Sequence, residues 1–473
     1  MKPARLLVLP VLGLVLSPLL LDSSRAATAA SPPVFRQYHA PAAPLDVRGN
    51  RTKGDASGEP SLGFDRRTGD VMYMAEKATF RVHGFDLGRN EKATWTDVTD
   101  PVIGAQTSDP ILWTDPVTHR TYANQLELQG GSLQAYTDDQ GRTWTHSTMG
   151  GSVGLAFDHQ SIVTGKPALE GRRYPAPLIG PSYLYYCTND LYAASCAVSL
   201  DGGLNFLAAT PVYVNELAGG DCRAIFGHLK TDPRDGTVYL PPDGCGTGQR
   251  LFVSKDNTFS WTSYPLPGST TGDSGHPSIG IGRQDGAVYY AYGSNDAGGD
   301  TGRVHAQVSF DKGRTWTRPA ALGKDLGIRT SRFPVAVAGD RGRAAVAFLG
   351  AKAAGDPSAA PDPTNPRVKA YKGIWNLYVS YTFDGGRTWK TYDALPGDPI
   401  QRGPVCTRGT TCLAGRNLLD FNDMVLDDKG RVMLALADGA LSRTDDYSRD
   451  LAKATIVRQA SGPSLYARPV SRG

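Results

Sequence analysis

Glutamate is scarce in this chain: six residues, none after Glu216, against forty aspartates in 473 residues. Most of those Asp are placed by turns, which prefer a short carboxylate that accepts nearby backbone N–H groups. Basic runs are absent as well. The formal net charge is +4, and about +2 without residues 1–29, so binding to nucleic acid has no electrostatic footprint. There is no H-E-x-x-H, no Walker loop and no G-x-G-x-x-G, which removes the usual signatures of zinc proteases, P-loop enzymes and dinucleotide enzymes. No C-x2-C spacing occurs, which argues against a zinc–thiolate site. The long apolar run is 6–21, and Pro10 and Pro18 break it, leaving it too short for a membrane span. Lys2 and Arg5 before it and Ala27-Thr28-Ala29 after it read as a cleaved export signal over 1–29. In an exported chain the six Cys suggest disulfides, and proximity favours 187–196, 222–245 and 406–412. Gly272-Asp273-Ser274-Gly275-His276 looks like a serine-protease nucleophile segment, but the matching His-Cys segment is missing, so chance explains it.

What is present is repetition. A hydroxyl residue, an Asp, a Gly and an aromatic recur in one frame at Thr137-Asp139-Gly141-Trp144, Ser199-Asp201-Gly203-Phe206, Ser309-Asp311-Gly313-Trp316 and Thr382-Asp384-Gly386-Trp389. A worn fifth copy runs from Ser254 through Asp256 to Trp261. The five Asp are 62, 55, 55 and 73 residues apart, with strand-like flanks and no helical periodicity, so each period is one supersecondary unit. Asp followed by Gly makes the turn: the carboxylate takes backbone N–H groups and Gly supplies φ > 0. These Asp are therefore turn ties and not catalytic acids. A second element, an apolar strand entering a turn, starts near Pro60, Pro110, Asp158, His228, Pro277, Pro334 and Met424. Seven starts predict seven blades of about four strands each, an all-β propeller, with six blades as the alternative count.

The S/T-x-D-x-G-x-T-W pattern resembles the Asp-box (BNR) repeat of sialidase-like β-propellers, over most of the chain. The repeats imply one ring over 58–450, with an extended N-terminal arm at 30–57, a Pro/Ala/Gly-rich mobile insertion at 350–369 and a tail at 451–473. A closed ring leaves few free edges, so a monomer is expected. Family sialidases pair a Tyr nucleophile with a Glu, an Asp acid/base and three Arg that clamp a sugar carboxylate. Here Phe35-Arg36-Gln37-Tyr38 lacks the Pro of the family's first-blade motif, and Arg332-Phe333-Pro334 has the form but lies in blade six. Arg223, Arg332 and Arg416 are the candidates for a triad.

In a propeller the inner strands converge on a central channel, whose mouth is the usual ligand site. Aligning the entry strands places Glu59, Asp109, Asp158, Phe226, His276 and Phe421 at one inward position, with blade six ambiguous around Phe333 and Pro334. Two residues on, facing the same way, come Ser61, Ile111, Gln160, His228, Ser278 and Asp423. Arg332, Arg416 and Asp420 lie within a few positions. Such carboxylates, imidazoles and guanidiniums suit sugar hydroxyls, so the expected partner is an extracellular glycan. Asp109 and Asp158 are the catalytic candidates, as a glycosidase carboxylate pair. Glu59, Gln160, His228, His276, Arg332, Arg416 and Asp423 are the substrate-binding candidates. No cofactor, metal or membrane partner is expected. Chelation of a metal ion by His159, His228 and His276 is the alternative reading of those imidazoles. A non-catalytic glycan- or protein-binding module is the alternative to the enzyme.

Overall fold

The computed structural model describes residues 31–41 and 57–470, apart from 77, 89, 105–106, 128–130, 148–157, 169–173, 191, 296–301, 361–366, 368, 413–414 and 440–451. The expected export signal therefore lies outside the described residues. The described chain is an all-β propeller of seven antiparallel sheets, each of four strands, the sixth carrying a short fifth strand at Gln401–Arg402. The inner strands are Ser61–Phe64, Thr107–Thr114, Asp158–Gly165, Lys230–Thr231, Ser278–Ile281, Thr330–Ala338 and Asp423–Leu426. They lie against one another in that order, and the seventh lies against the first, which closes the ring.

Closure draws on both ends of the chain. Val34–His39, within the expected arm, is the outermost strand of blade seven, and Lys453–Ser461, within the expected tail, is that blade's third strand. The two pair antiparallel from Val34 opposite Ser461 to His39 opposite Thr455. Phe35 and Tyr38 are buried there. The sheet is thus completed by residues more than 400 positions apart.

Between blades the sheets meet face to face on apolar side chains. Leu62, Phe64, Tyr73 and Phe80 of blade one pack on Met433, Ala435, Ala454 and Ile456 of blade seven. The repeated Asp turns lie between third and fourth strands, on the face opposite the channel mouth. In the first box Thr137 Oγ1 donates to Asp139 (2.8 Å), Gly141 N donates to Thr137 Oγ1 (2.8 Å), and Thr143 donates to Asp139 through N (2.9 Å) and Oγ1 (2.7 Å). The same four bonds recur around Asp201, Asp311 and Asp384. They also recur in the worn copy around Asp256, where Thr258 stands in the glycine position at φ 70°.

The three disulfides are Cys187–Cys196, Cys222–Cys245 and Cys406–Cys412. The first ties two neighbouring strands of blade three at directly opposed positions. Part of the expected mobile insertion is anchored: Tyr371 N donates to Ala359 O, Val405 N donates to Pro357 O, and Ser358 and Ala360 are buried. Residues 361–366 and 368 of that insertion lie outside the described residues.

Candidate functional site

Each inner strand begins at the mouth, and there the backbone is bent. Glu59, Asp109, His159 and Phe333 all take positive φ, between 50° and 57°, at corresponding places in blades one, two, three and six. Non-Gly residues avoid this region, so four recurrences at one level mark an imposed geometry. In blades two, three and six the bend coincides with a bulge: the ladder slips between Ser108 and Ile111, between Asp158 and Gln160, and between Arg332 and Val335. A bulge leaves one residue unpaired and re-aims it, here toward the channel. Pro60, Pro110, Pro277 and Pro334 follow the inward residue in four blades, and a bulge tolerates the missing N–H.

The bulge corrects the alignment of blade three. His159, and not Asp158, is the counterpart of Asp109, and Gln160 falls in the register of the prolines. The residue facing inward two positions on is Ser161. That register has a structural task. Ser61 Oγ accepts Leu112 N (2.9 Å), Ser161 Oγ accepts Leu229 N (2.9 Å), and Ser278 Oγ accepts Ala336 N (3.0 Å). Asp423 Oδ2 accepts Leu62 N (2.8 Å) in the same way. In blades one, three, five and seven, this side chain staples the backbone of the next inner strand. Asp423 also accepts Ser61 Oγ and Met424 N, and it is buried, so its carboxylate belongs to the scaffold and not to the mouth.

Two other expected ligand residues are also withdrawn from the mouth. Arg332 is fully buried, and its guanidinium donates to the carbonyls of Asp273, Ser331 and Val405. His228 lies deeper in the channel, with Nδ1 4.0 Å from Asp423, beside a cavity of about 20 Å3 that Lys230 and Trp113 also line. Between that cavity and the mouth stands an aromatic plug. The His159 ring, 1% exposed, lies 5.4 Å from Phe226, 5.5 Å from His228, 4.4 Å from His276 and 5.4 Å from Phe421. Burial holds all three imidazoles below the usual histidine range, so they are neutral near pH 7.

Above the plug four carboxyl groups meet. Glu59 lies close to Asp109 and Asp420, and Asp158 lies close to Asp109. Carboxyls crowded together favour the protonated form of some of them, here Glu59 and Asp158. Burial first, then the charges of Asp109 and Asp420, hold Glu59 well above the usual carboxylate range. Asp158 keeps an exposed face, yet the atoms crowding its carboxyl and the same two charges push it up to about 7. Burial pulls Asp420 upward too, but the bond and charge of Arg416 prevail and hold it low. Arg416 grips Asp420 with both Nη atoms, the Nη2 bond being 2.7 Å. Gln160 is buried and gives Nε2 to Asp109 O at 2.6 Å.

Of the expected site residues, the structure therefore brings together Glu59, Asp109, Asp158, Gln160, His276 and Arg416. Asp420 joins them as a full member of the cluster. The signal for it in the sequence was its spacing of four from Arg416. Asp109 and Asp158 touch, which is closer than the ~5 Å or more that separates paired glycosidase carboxyls. Asp158 and Asp420 feel one another's charge.

No protein-family model and no curated protein sequence matches this chain. Solved structures do resemble it. A GH74 xyloglucanase from Xanthomonas campestris is similar at 14% identity and TM-score 0.47, over 85% of this chain and 53% of that one. The NanB sialidase of Streptococcus pneumoniae is similar at 9% identity and TM-score 0.40, over 84% and 83%. The fucose-binding lectin of Aleuria aurantia is similar at 10% identity and TM-score 0.42, over 75% and 98%. No residue role is carried across from them.

Proposed function

We propose that the channel mouth binds extracellular glycans and hydrolyses a glycosidic bond, with Asp158 as general acid and Asp420 as the opposing carboxylate. The observation that carries this reading is the split within one cluster: Asp158 is held up to about 7 while Asp420 is held low by Arg416. Two carboxyls whose surroundings drive them apart are the ordinary basis of acid and base roles at neutral pH. Asp109, close to both Glu59 and Asp158, positions the acid. Three disulfides support an oxidising compartment, and with it export. Screening against a panel of glycans tests the proposal. Asp158→Asn is expected to lower turnover by roughly two to four orders of magnitude. Equal turnover by wild type and this variant clears Asp158 of the role.

One observation favours a second reading. The carboxyls already crowd one another over a closed aromatic plug, an arrangement that serves a non-catalytic glycan-binding mouth equally well. Tight glycan binding with no turnover on any member of the panel selects that alternative.

A further inference from the structure

We infer that the mouth selects a sugar bearing a free amine, whose ammonium sits among Glu59, Asp109, Asp158 and Asp420, and that it rejects carboxylated sugars. This rests on the reading of the mouth as a glycan site, catalytic or not, and names the class of glycan.

Four carboxyls converge, and Arg416 is the guanidinium that meets them, held by Asp420. The other arginines toward the mouth are also engaged. Arg223 pairs with Asp243 at 3.4 Å, Arg332 is enclosed by carbonyls, and Arg408 pairs with Asp356 at 3.1 Å. Each of these four already has a partner within the protein, which a sugar carboxylate would have to displace. Meanwhile acceptors stand without donors. Gln160, 0% exposed, leaves Oε1 buried and unpartnered while its Nε2 holds Asp109 O. His276 Nδ1 is likewise buried and unpartnered, on a ring that feels the charges of Asp420 and Asp109. Beyond Arg416, which is committed to Asp420, the four carboxyls are short of positive charge and N–H groups. An ammonium supplies both, with three donors that can reach separate acceptors. A metal ion fits less well, since among the described residues no three His, Cys, Asp or Glu side chains are arranged to hold one. The carboxyls crowd one another instead.

The same geometry predicts a signature. The proton held between Glu59 and its carboxylate neighbours is displaced when a cation takes its place, while Asp158 keeps the proton it would donate, so binding releases about one proton.

Isothermal titration of the full mature chain at mildly acidic pH, in two buffers of different ionisation enthalpy, tests this. The probes are a glucosamine tetrasaccharide with free amines, its fully N-acetylated counterpart and a sialylated trisaccharide, with calcium chloride as a separate arm. The expected result is at least tenfold tighter binding of the free amine than of its acetylated form, release of about one proton, and no binding of the sialylated sugar. In Asp158→Asn, checked for an unchanged circular dichroism spectrum, the amine preference should shrink to about twofold. Equal or tighter binding of the acetylated or sialylated sugar overturns the inference while leaving the glycan reading intact. Calcium binding that displaces protons where the amine does not also overturns it. Binding of none of the three sugars sinks both.

Discussion

Ser161 shows how much one small side chain carries in a ring. Its hydroxyl accepts the N–H of Leu229 in the next blade, both residues being buried. Ser161→Ala leaves that N–H with no acceptor, and it should cost about 1–3 kcal/mol in chemical denaturation. A loss below half of that would mean water reaches the strand. Thr258 presents the reverse case. It holds φ 70° where the other boxes have Gly141, Gly203, Gly313 and Gly386, and a β-branched residue is strained there. Thr258→Gly should therefore stabilise the protein by about 1 kcal/mol despite the lost methyl. An unchanged or lower urea midpoint would refute that. The boxes were legible because their four bonds close within seven residues of sequence. The serine staples were not, because each partner lies 51 to 68 residues away in the chain.

Among elements, the strand Val34–His39 has the largest consequence for its size. Deleting residues 1–40 removes the burial of Phe35 and Tyr38 and exposes the edge of Lys453–Ser461. The two side chains alone are worth roughly 3–6 kcal/mol. The shortened chain should show a correspondingly lower urea midpoint and a tendency to self-associate through the bared edge. A monomer of unchanged stability would show that closure is unimportant. The entry strands teach a related lesson. Period-two alternation placed Glu59 and Asp109 correctly but put Asp158 where His159 stands, because a bulge inserts a residue without any local sequence mark. The sign available was Ser161, which matches Ser61 and Ser278 in both type and task.

For the whole molecule, the channel sets opposing pH dependences. His159 is packed against Phe226, His228, His276 and Phe421, with Asp109 at its backbone N–H. His228 adjoins Lys230 and Asp423, and His276 adjoins Asp420, Asp109 and Arg416. Burial lowers all three, so their stability contribution is complete above the ordinary value of 6.5 and is lost as the pH falls below it. Asp158 runs the other way: raised from 3.8 to about 7, its contribution is present below 3.8 and is lost as the pH rises through about 7. His159→Phe should flatten the acid limb of the melting curve, since Phe333 already occupies the corresponding bend at φ 56°. Asp158→Asn should flatten the limb near neutrality. Parallel shifts of the whole pH profile in both variants would rule out these assignments.

The repeats by themselves determined an all-β ring, because turn bonds and strand alternation are local interactions that depend on neighbouring residue types. Proximity in sequence also sufficed for the three disulfides, each closing a loop of at most 23 residues. Which polar residues meet at the axis was decided by tertiary structure. Arg332, His228 and Asp423 sit within a few positions of the mouth residues, yet carbonyls, the aromatic plug and a backbone N–H claim them. The carboxyls that remain come from blades one, two and three and from the segment entering blade seven. Their crowding exists only once the ring has closed, since no local sequence rule couples groups brought together from opposite ends of the chain.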